Sequence, residues 1–231
     1  MSIIRPTINE ISPATTMLIR NKYIDMYRRA YFINKIYESG IKSIEIGSFR
    51  KYDNVLFGTR DVLFNVNHRV DACRSALVME IENTLKNVVC QPSVNHLVYE
   101  INDEKNVEEF LKHKIVAKQL GMKTKLILPL DKLNLYKEAE PDFVEVADLS
   151  NEILSIADPA KIFLRTNKFN DVDAALYNGV FNFSSSLLKT DQFLNTIELI
   201  THLRGKLGFE VNVNLESLKE TQKEMIDEFN W

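Results

Sequence analysis

The chain has 231 residues, 45% hydrophobic and 26% charged, with a formal net charge of −3; this is the profile of an ordinary globular protein able to bury a sizeable core, with disorder expected only at the termini. Lysines and arginines are interleaved with acids and form no basic stripe, which argues against nucleic acid as a partner, and no apolar run approaches a membrane span. Two cysteines, Cys73 and Cys90, allow neither a disulfide framework nor a paired thiolate metal site, and Pro6, Asn9, Glu10 and Pro13 interrupt the amino terminus where a signal peptide would be apolar, so an unprocessed cytoplasmic protein is expected.

Short apolar, β-branched runs bounded by turn residues predict eight strands. In chain order they are Thr7 to Ile11, Ser43 to Ser48, Ala76 to Glu80, Leu97 to Ile101, Thr124 to Leu128, Phe143 to Ala147, Ile162 to Arg165 and Val180 to Ser184. Helical spacing fills the intervals between them. Met26, Ala30, Ile33 and Tyr37 form one apolar stripe, closed by Gly40. Val107, Phe110, Leu111 and Ile115 form another over Asn106 to Leu120, with Asn106 as polar cap and Gly121 just past the end. A helix from about Asp191 to Lys206 turns Leu194, Ile197, Ile200 and Leu203 to one side, and a last helix runs from about Leu215 to Phe229.

Strands alternating with helices, without a low-complexity linker, predict one compact α/β domain over residues 1–231, a TIM (β/α)8 barrel. The last helix is then an appendage that covers an end or a partner surface, a second copy of the chain included. An open doubly wound sheet is the alternative. It ordinarily carries a glycine-rich phosphate loop after its first strand, whereas Glu10-Ile11-Ser12-Pro13-Ala14-Thr15 has no glycine and the whole chain has only 7.

In such a barrel chemistry belongs at the carboxyl ends of the strands. Residues at or just past those ends are Thr15, Glu45, Ser48, Glu80, Glu100, Asn102, Glu145, Asp148, Arg165, Asn167 and Ser184 to Ser186, with Lys125 nearer the start of its strand. Glu45, Glu100 and Glu145 each interrupt an apolar run. A charge buried there must be paired, protonated or used, and Lys125 and Arg165 supply the opposite sign. The set reads either as a general acid/base site or as core ion pairs with structural duty. Glu45, Lys125 and Arg165 are the candidate catalytic groups; Ser48, Glu100, Glu145, Asp148 and Asn167 are the candidates for holding a ligand.

No cofactor and no metal is expected. His68, His96, His113 and His202 are not spaced as ligand pairs and read as exposed or capping residues. A carboxylate-only magnesium site built from Glu45, Glu100 or Glu145 stays open, although no spacing demands it. Ser184-Ser185-Ser186 has no histidine placed to activate a hydroxyl and reads as a polar turn.

Several of these stretches, in order, resemble the hydroxymethylglutaryl-CoA lyase family, TIM barrels related to the divalent-metal-dependent aldolases. Glu10 to Thr15 is similar to the family's first-strand signature, and Glu38 to Phe49 resembles its second strand and lead-in. Phe143 to Asp148 resembles a sixth strand ending in aspartate, while Tyr177 to Val180 and Val211 to Leu215 resemble the approaches to strand eight and the terminal helix. The resemblance implies a metal at the barrel mouth and carbon–carbon bond cleavage. It also exposes departures. The family's Arg-Asp pair after strand one, the arginine on the substrate and the aspartate on the metal, falls on Ala14 and Thr15. Its His-x-His metal pair falls on Arg165-Thr166-Asn167, and its metal-binding asparagine on Phe193, with Asn195 two places on. The loop with its catalytic cysteine is replaced by Ser184 to Asp191. Glu45 and Asp148 persist, and Lys125 stands where the lyases carry a basic residue.

Loss of a carboxylate and two imidazoles removes the ligands a divalent cation needs, and an arginine in their place puts a fixed positive charge in the cavity. One reading is therefore a lyase-like barrel without metal-dependent catalysis that binds a small acid, an acyl-CoA thioester or a protein partner. The other is an active metal-independent lyase or aldolase, with Arg165 and Lys125 stabilising charge and Glu45 as base.

Overall fold

A computed structural model describes residues 5–51, 54–56, 58–67, 69–81, 85–86, 94–101 and 103–231. Of the candidates above, His68, Cys90 and Asn102 lie outside the described residues. Eight parallel strands close into a barrel in chain order: β1 Thr7–Glu10, β2 Ser43–Ser48, β3 Cys73–Leu77, β4 His96–Glu100, β5 Lys123–Ile127, β6 Phe143–Val146, β7 Ile162–Arg165 and β8 Asn182–Ser185. β8 pairs back onto β1. This is the predicted TIM barrel.

Alternation along the strands divides the core in two. Ile44, Ile46, Leu126, Val144 and Leu164 face outward and are fully buried against the helices. The inner face is unusually polar. Burying it is tolerated because most of its polar side chains pair with one another, as described below.

β3 lies three residues earlier than its apolar run suggests. Val78 and Met79 fall beyond the strand, and Glu80, with φ of 49°, is exposed and away from the strand end. The strand starts instead at Cys73, Arg74 and Ser75, whose polarity hides it from a search for apolar residues; the Arg74 N–H donates to Asn95 Oδ1 at 2.7 Å.

The principal helices are α1 Met26–Glu38, α2 Thr59–Asn65, α3 Glu104–Gln119, α4 Asn134–Ala139, α5 Asn151–Ile156, α6 Phe169–Tyr177, α7 Thr196–Gly205 and α8 Leu215–Phe229. α3 is capped by Asp103, not Asn106: Asp103 Oδ1 accepts from the Asn106 N–H at 2.8 Å. Ile115 of its predicted stripe is exposed, and Ala117 is buried in its stead. α7 begins five residues later than predicted because Asn195 caps it, accepting from the N–H groups of Ile197 and Glu198. α8 packs along α1. Phe32 and Phe229 meet edge to face at 5.1 Å, and Lys35 and Arg28 pair with Glu224 and Glu228.

Two glycines fix close approaches. Gly40 ends α1 at φ of 102°, and a Cβ there would stand 2.6 Å from the Asn212 carbonyl oxygen. At Gly47, where β2 bulges against β3, a Cβ would come within 2.5 Å of Thr59 Oγ1, the atom that accepts from the Ser48 N–H.

Glu10, on the outward side of β1, ties the first strand to the segment after β8. Its carboxylate accepts from Ser12 and Leu187 N–H groups and from the Ser12 and Thr196 hydroxyls, so burial raises its carboxyl above 4.5 while four donors oppose the rise. The Gln222 side chain and the Trp231 indole donate to the carbonyls of Leu187 and Lys189. The loop at 187–195 is thereby held over the carboxyl end of the barrel.

Candidate functional site

The strand register stacks the interior in layers drawn from alternate strands, as closure of an eight-stranded parallel barrel requires. Asn9, Ser75, Lys125 and Phe163 come from the odd strands. Glu45, Val98, Glu145 and Ser184 form the next layer toward the carboxyl end, and Leu77, Ile127 and Arg165 the one above that. Lys125, Glu145 and Arg165, far apart in sequence, are thus brought together.

Glu145 is the hub. It is completely buried, and one oxygen accepts from Lys125 Nζ at 2.5 Å and from the Ser184 hydroxyl at 2.7 Å, while the other faces Arg165 Nη2 in a close ion pair. Burial alone would raise its carboxyl, but the Arg165 and Lys125 charges outweigh burial and hold it at about 2. The chain continues downward: Asn9 donates to the Ser184 hydroxyl at 3.2 Å, and Ser43 donates to Asn9 Oδ1 at 2.8 Å. Lys125 Nζ also lies 5.1 Å over the Phe163 ring, and the Arg165 guanidinium 5.0 Å over Phe193.

Glu45 stands apart from this network. Thr15 donates to its Oε1 from the backbone N–H, at 3.1 Å, and from the hydroxyl, whereas Oε2 is buried with no hydrogen-bond partner among the described residues. Burial pushes its carboxyl up from 4.5; Glu145 adds to the rise and Lys125 acts against it.

Above these layers a cavity of about 150 Å³ opens at the barrel mouth, lined by Thr15, Leu18, Ile19, Arg50, Leu77, Glu100, Ile127, Arg165 and Gln192. Arg50 and Glu100 close on each other there at 3.1 Å. An open groove of about 630 Å³ adjoins it, sharing Arg165 and Gln192 and adding Asp148, Asn167, Lys168, Asp171 and Phe193. A hollow of about 230 Å³ at the opposite end, beneath β1 and β2, lies away from the buried charges.

Arg165 and Glu100 therefore line the cavity, and Asp148 and Asn167 the groove. Glu45, Lys125 and Glu145 lie beneath it, out of solvent contact. Ser48 is turned into local structure, its hydroxyl accepting from the Arg50 N–H at 3.0 Å. Arg50 and Gln192 were missed because both sit on loops, where no periodicity marks which way a side chain points. His96, His113 and His202 are half-buried and not exposed as expected: His202 pairs with Asp173 at 2.6 Å and stacks on Phe169, and burial lowers His96 to about 4.

The positions that the family resemblance assigns to a metal do not suit one. Thr15 is engaged with Glu45, Arg165 is itself a cation packed on Phe193, and both ends of the Asn195 amide are used, Oδ1 in capping α7 and Nδ2 on the Leu187 carbonyl at 2.9 Å. Among the described residues no three His, Cys, Asp or Glu side chains are grouped so as to hold an ion.

The fold is a TIM barrel like that of the hydroxymethylglutaryl-CoA lyases, here with a buried network of charged side chains under its mouth. Among solved structures, the lyase from Brucella melitensis superposes with a TM-score of 0.84 at 12% identity, covering 98% of this chain and 99% of that one. The Bacillus subtilis lyase gives 0.81 at 16%, covering 98% and 94%. The Acinetobacter baumannii lyase, solved with coenzyme A and 3-methylmalate, gives 0.79 at 15%, covering 98% and 92%. At such identities the likeness is one of fold. No protein-family model matches the sequence, and no curated protein matches it. No helix among the described residues is long and apolar enough to cross a membrane.

Proposed function

We propose that this barrel binds a small carboxylic acid, free or as the acyl end of a thioester, at the carboxyl ends of its strands, and does not carry out metal-dependent carbon–carbon cleavage. The observation that carries the reading is Arg165, a guanidinium exposed to the mouth cavity on one side and anchored on buried Glu145 on the other. A planar fork held in this way is suited to a carboxylate and repels a cation. The ligand of the Acinetobacter lyase structure supports the choice of acids and thioesters as ligands to try.

The test is a thermal-shift and turnover panel of keto acids, dicarboxylates and acyl-CoA thioesters in the presence of a chelator. A rise in melting temperature without turnover, abolished in Arg165→Ala, is the expected result. Turnover under chelation would instead establish the metal-independent lyase, with the raised carboxyl of Glu45 as its acid or base.

A further inference from the structure

We propose that residues 189–192 form a flap over the barrel mouth, that Trp231, the chain's single tryptophan, is the latch that keeps it closed, and that releasing the indole uncovers Arg165. Such a latch governs entry to the mouth for any ligand, the small acids proposed above included.

The loop after β8 is held in two ways. Its ends are pinned to the barrel by buried groups: the Leu187 N–H donates to Glu10 at 3.0 Å and to the Ser12 hydroxyl at 2.8 Å, and the Leu194 N–H donates to the Thr166 carbonyl at 2.8 Å. Its middle is different. Lys189, Asp191 and Gln192 are exposed, and the Gln192 and Phe193 N–H groups turn back on the loop itself, donating to Thr190 Oγ1 at 3.3 and 3.2 Å. Side-chain tethers reach this middle from elsewhere: the Trp231 indole donates to the Lys189 carbonyl at 2.9 Å, and the Asn167 amide to the Asp191 carbonyl at 2.6 Å. Both tethers lie at the surface. A stretch fixed at its ends and held at its centre by exposed hydrogen bonds is of the kind that opens locally while the rest of the fold stays intact.

The flap stands where access is decided. Gln192 lines both the mouth cavity and the adjoining groove, and the Phe193 ring lies against the Arg165 guanidinium. Trp231 also reaches the neighbouring rim: the Arg20 guanidinium stands 5.3 Å over its ring, and Leu18 and Ile19, just before Arg20, line the cavity. One residue at the carboxyl end of the chain thus ties the rim after β1 to the rim after β8. With the indole away, the Lys189 carbonyl turns to water, Gln192 leaves the cavity and Phe193 no longer backs Arg165. Trp231 does not line the cavity and acts through the loop, as a positioning residue.

The experiment uses no ligand, so its outcome is separate from that of the acid-binding test. It compares the full chain with Trp231→Phe, which keeps a ring for Arg20 and removes the indole N–H, and with Lys35→Gln, which breaks the Lys35–Glu224 pair between α1 and α8 and leaves the latch in place. Amide hydrogen exchange followed by NMR reads the flap. Phenylglyoxal labelling of Arg165, measured by mass spectrometry against exposed Arg5 at the opposite end of the barrel, reads the mouth. In Trp231→Phe the Gln192 and Phe193 amides are expected to exchange at least ~5-fold faster, as loss of one hydrogen bond implies, with the pinned Leu187 and Leu194 amides unchanged and Arg165 labelled faster by a similar factor. Lys35→Gln is expected to change none of these. Faster exchange at all four amides together, or no change at Gln192 and Phe193, would overturn the latch: the indole would then serve general stability or nothing. Faster exchange in the flap with Arg165 labelling unchanged would overturn the claim that the flap covers the mouth. Asn167→Ala, which releases the tether at Asp191, is expected to speed the same two amides and decides the matter if Trp231→Phe does not fold.

Discussion

Glu145→Gln is the substitution that most directly tests the physical account of the barrel interior. The carboxylate is completely buried and serves Lys125, Arg165 and Ser184 together, so the amide leaves two cations facing a neutral group. A carboxyl held at about 2 against an ordinary 4.5 corresponds to about 3 kcal/mol of folding stability at neutral pH. Uncompensated cations raise the cost further, since breaking a buried pair typically costs ~3–5 kcal/mol. Because the folded value lies below the unfolded one, this contribution is fully present above pH 4.5 and disappears as the pH falls through about 2. Urea denaturation of both proteins at pH 7 and pH 3 should therefore show a deficit of about 3 kcal/mol or more at pH 7 that shrinks by about 2 kcal/mol at pH 3. A deficit under ~0.5 kcal/mol, or one equal at both pH values, would refute the claim that ion pairing holds this layer together.

Glu45→Gln should behave in the opposite way. Its carboxyl is raised by burial, so its contribution is complete below 4.5 and is lost as pH rises through the folded value; the variant should match the parent near pH 5 and be the more stable at pH 8, as melting curves at the two pH values would reveal. Gly47→Ala forces a methyl to 2.5 Å from Thr59 Oγ1 and should cost ~1–3 kcal/mol in a denaturant titration; a neutral result would mean that α2 gives way freely. Magnesium, manganese and zinc should leave the melting temperature unchanged, and elemental analysis should find no stoichiometric ion. One tightly held ion per chain at the mouth would show that carboxylates outside the family positions have built a new site.

Much of this was legible in the sequence because strand and helix identity are local. Ser43 to Ser48 and Ile162 to Arg165 coincide with their strands to the residue, since β-branched runs between turn residues admit few other readings. β3 was misplaced because its first residues are stabilised by polar contacts that apolarity does not register, and α7 was started early because Leu194 fits the helix's apolar spacing yet lies before the cap at Asn195. For the site, single charges within apolar runs picked out Glu45, Lys125, Glu145 and Arg165, because burial makes such a charge too costly to be incidental.

What the sequence determined alone, then, was the alternation of elements that closes a barrel and the identity of the charges that must lie inside it, both consequences of periodicity and of the cost of burial. The tertiary structure decided which charges meet. Closure of β8 onto β1 and the stagger between strands put Glu145 within reach of both Lys125 and Arg165, left Glu45 with Thr15 one layer beneath the cavity, and brought Arg50 and Gln192 to the rim from unrelated loops. Register across a closed sheet depends on all eight strands at once, and no local stretch of residues encodes it.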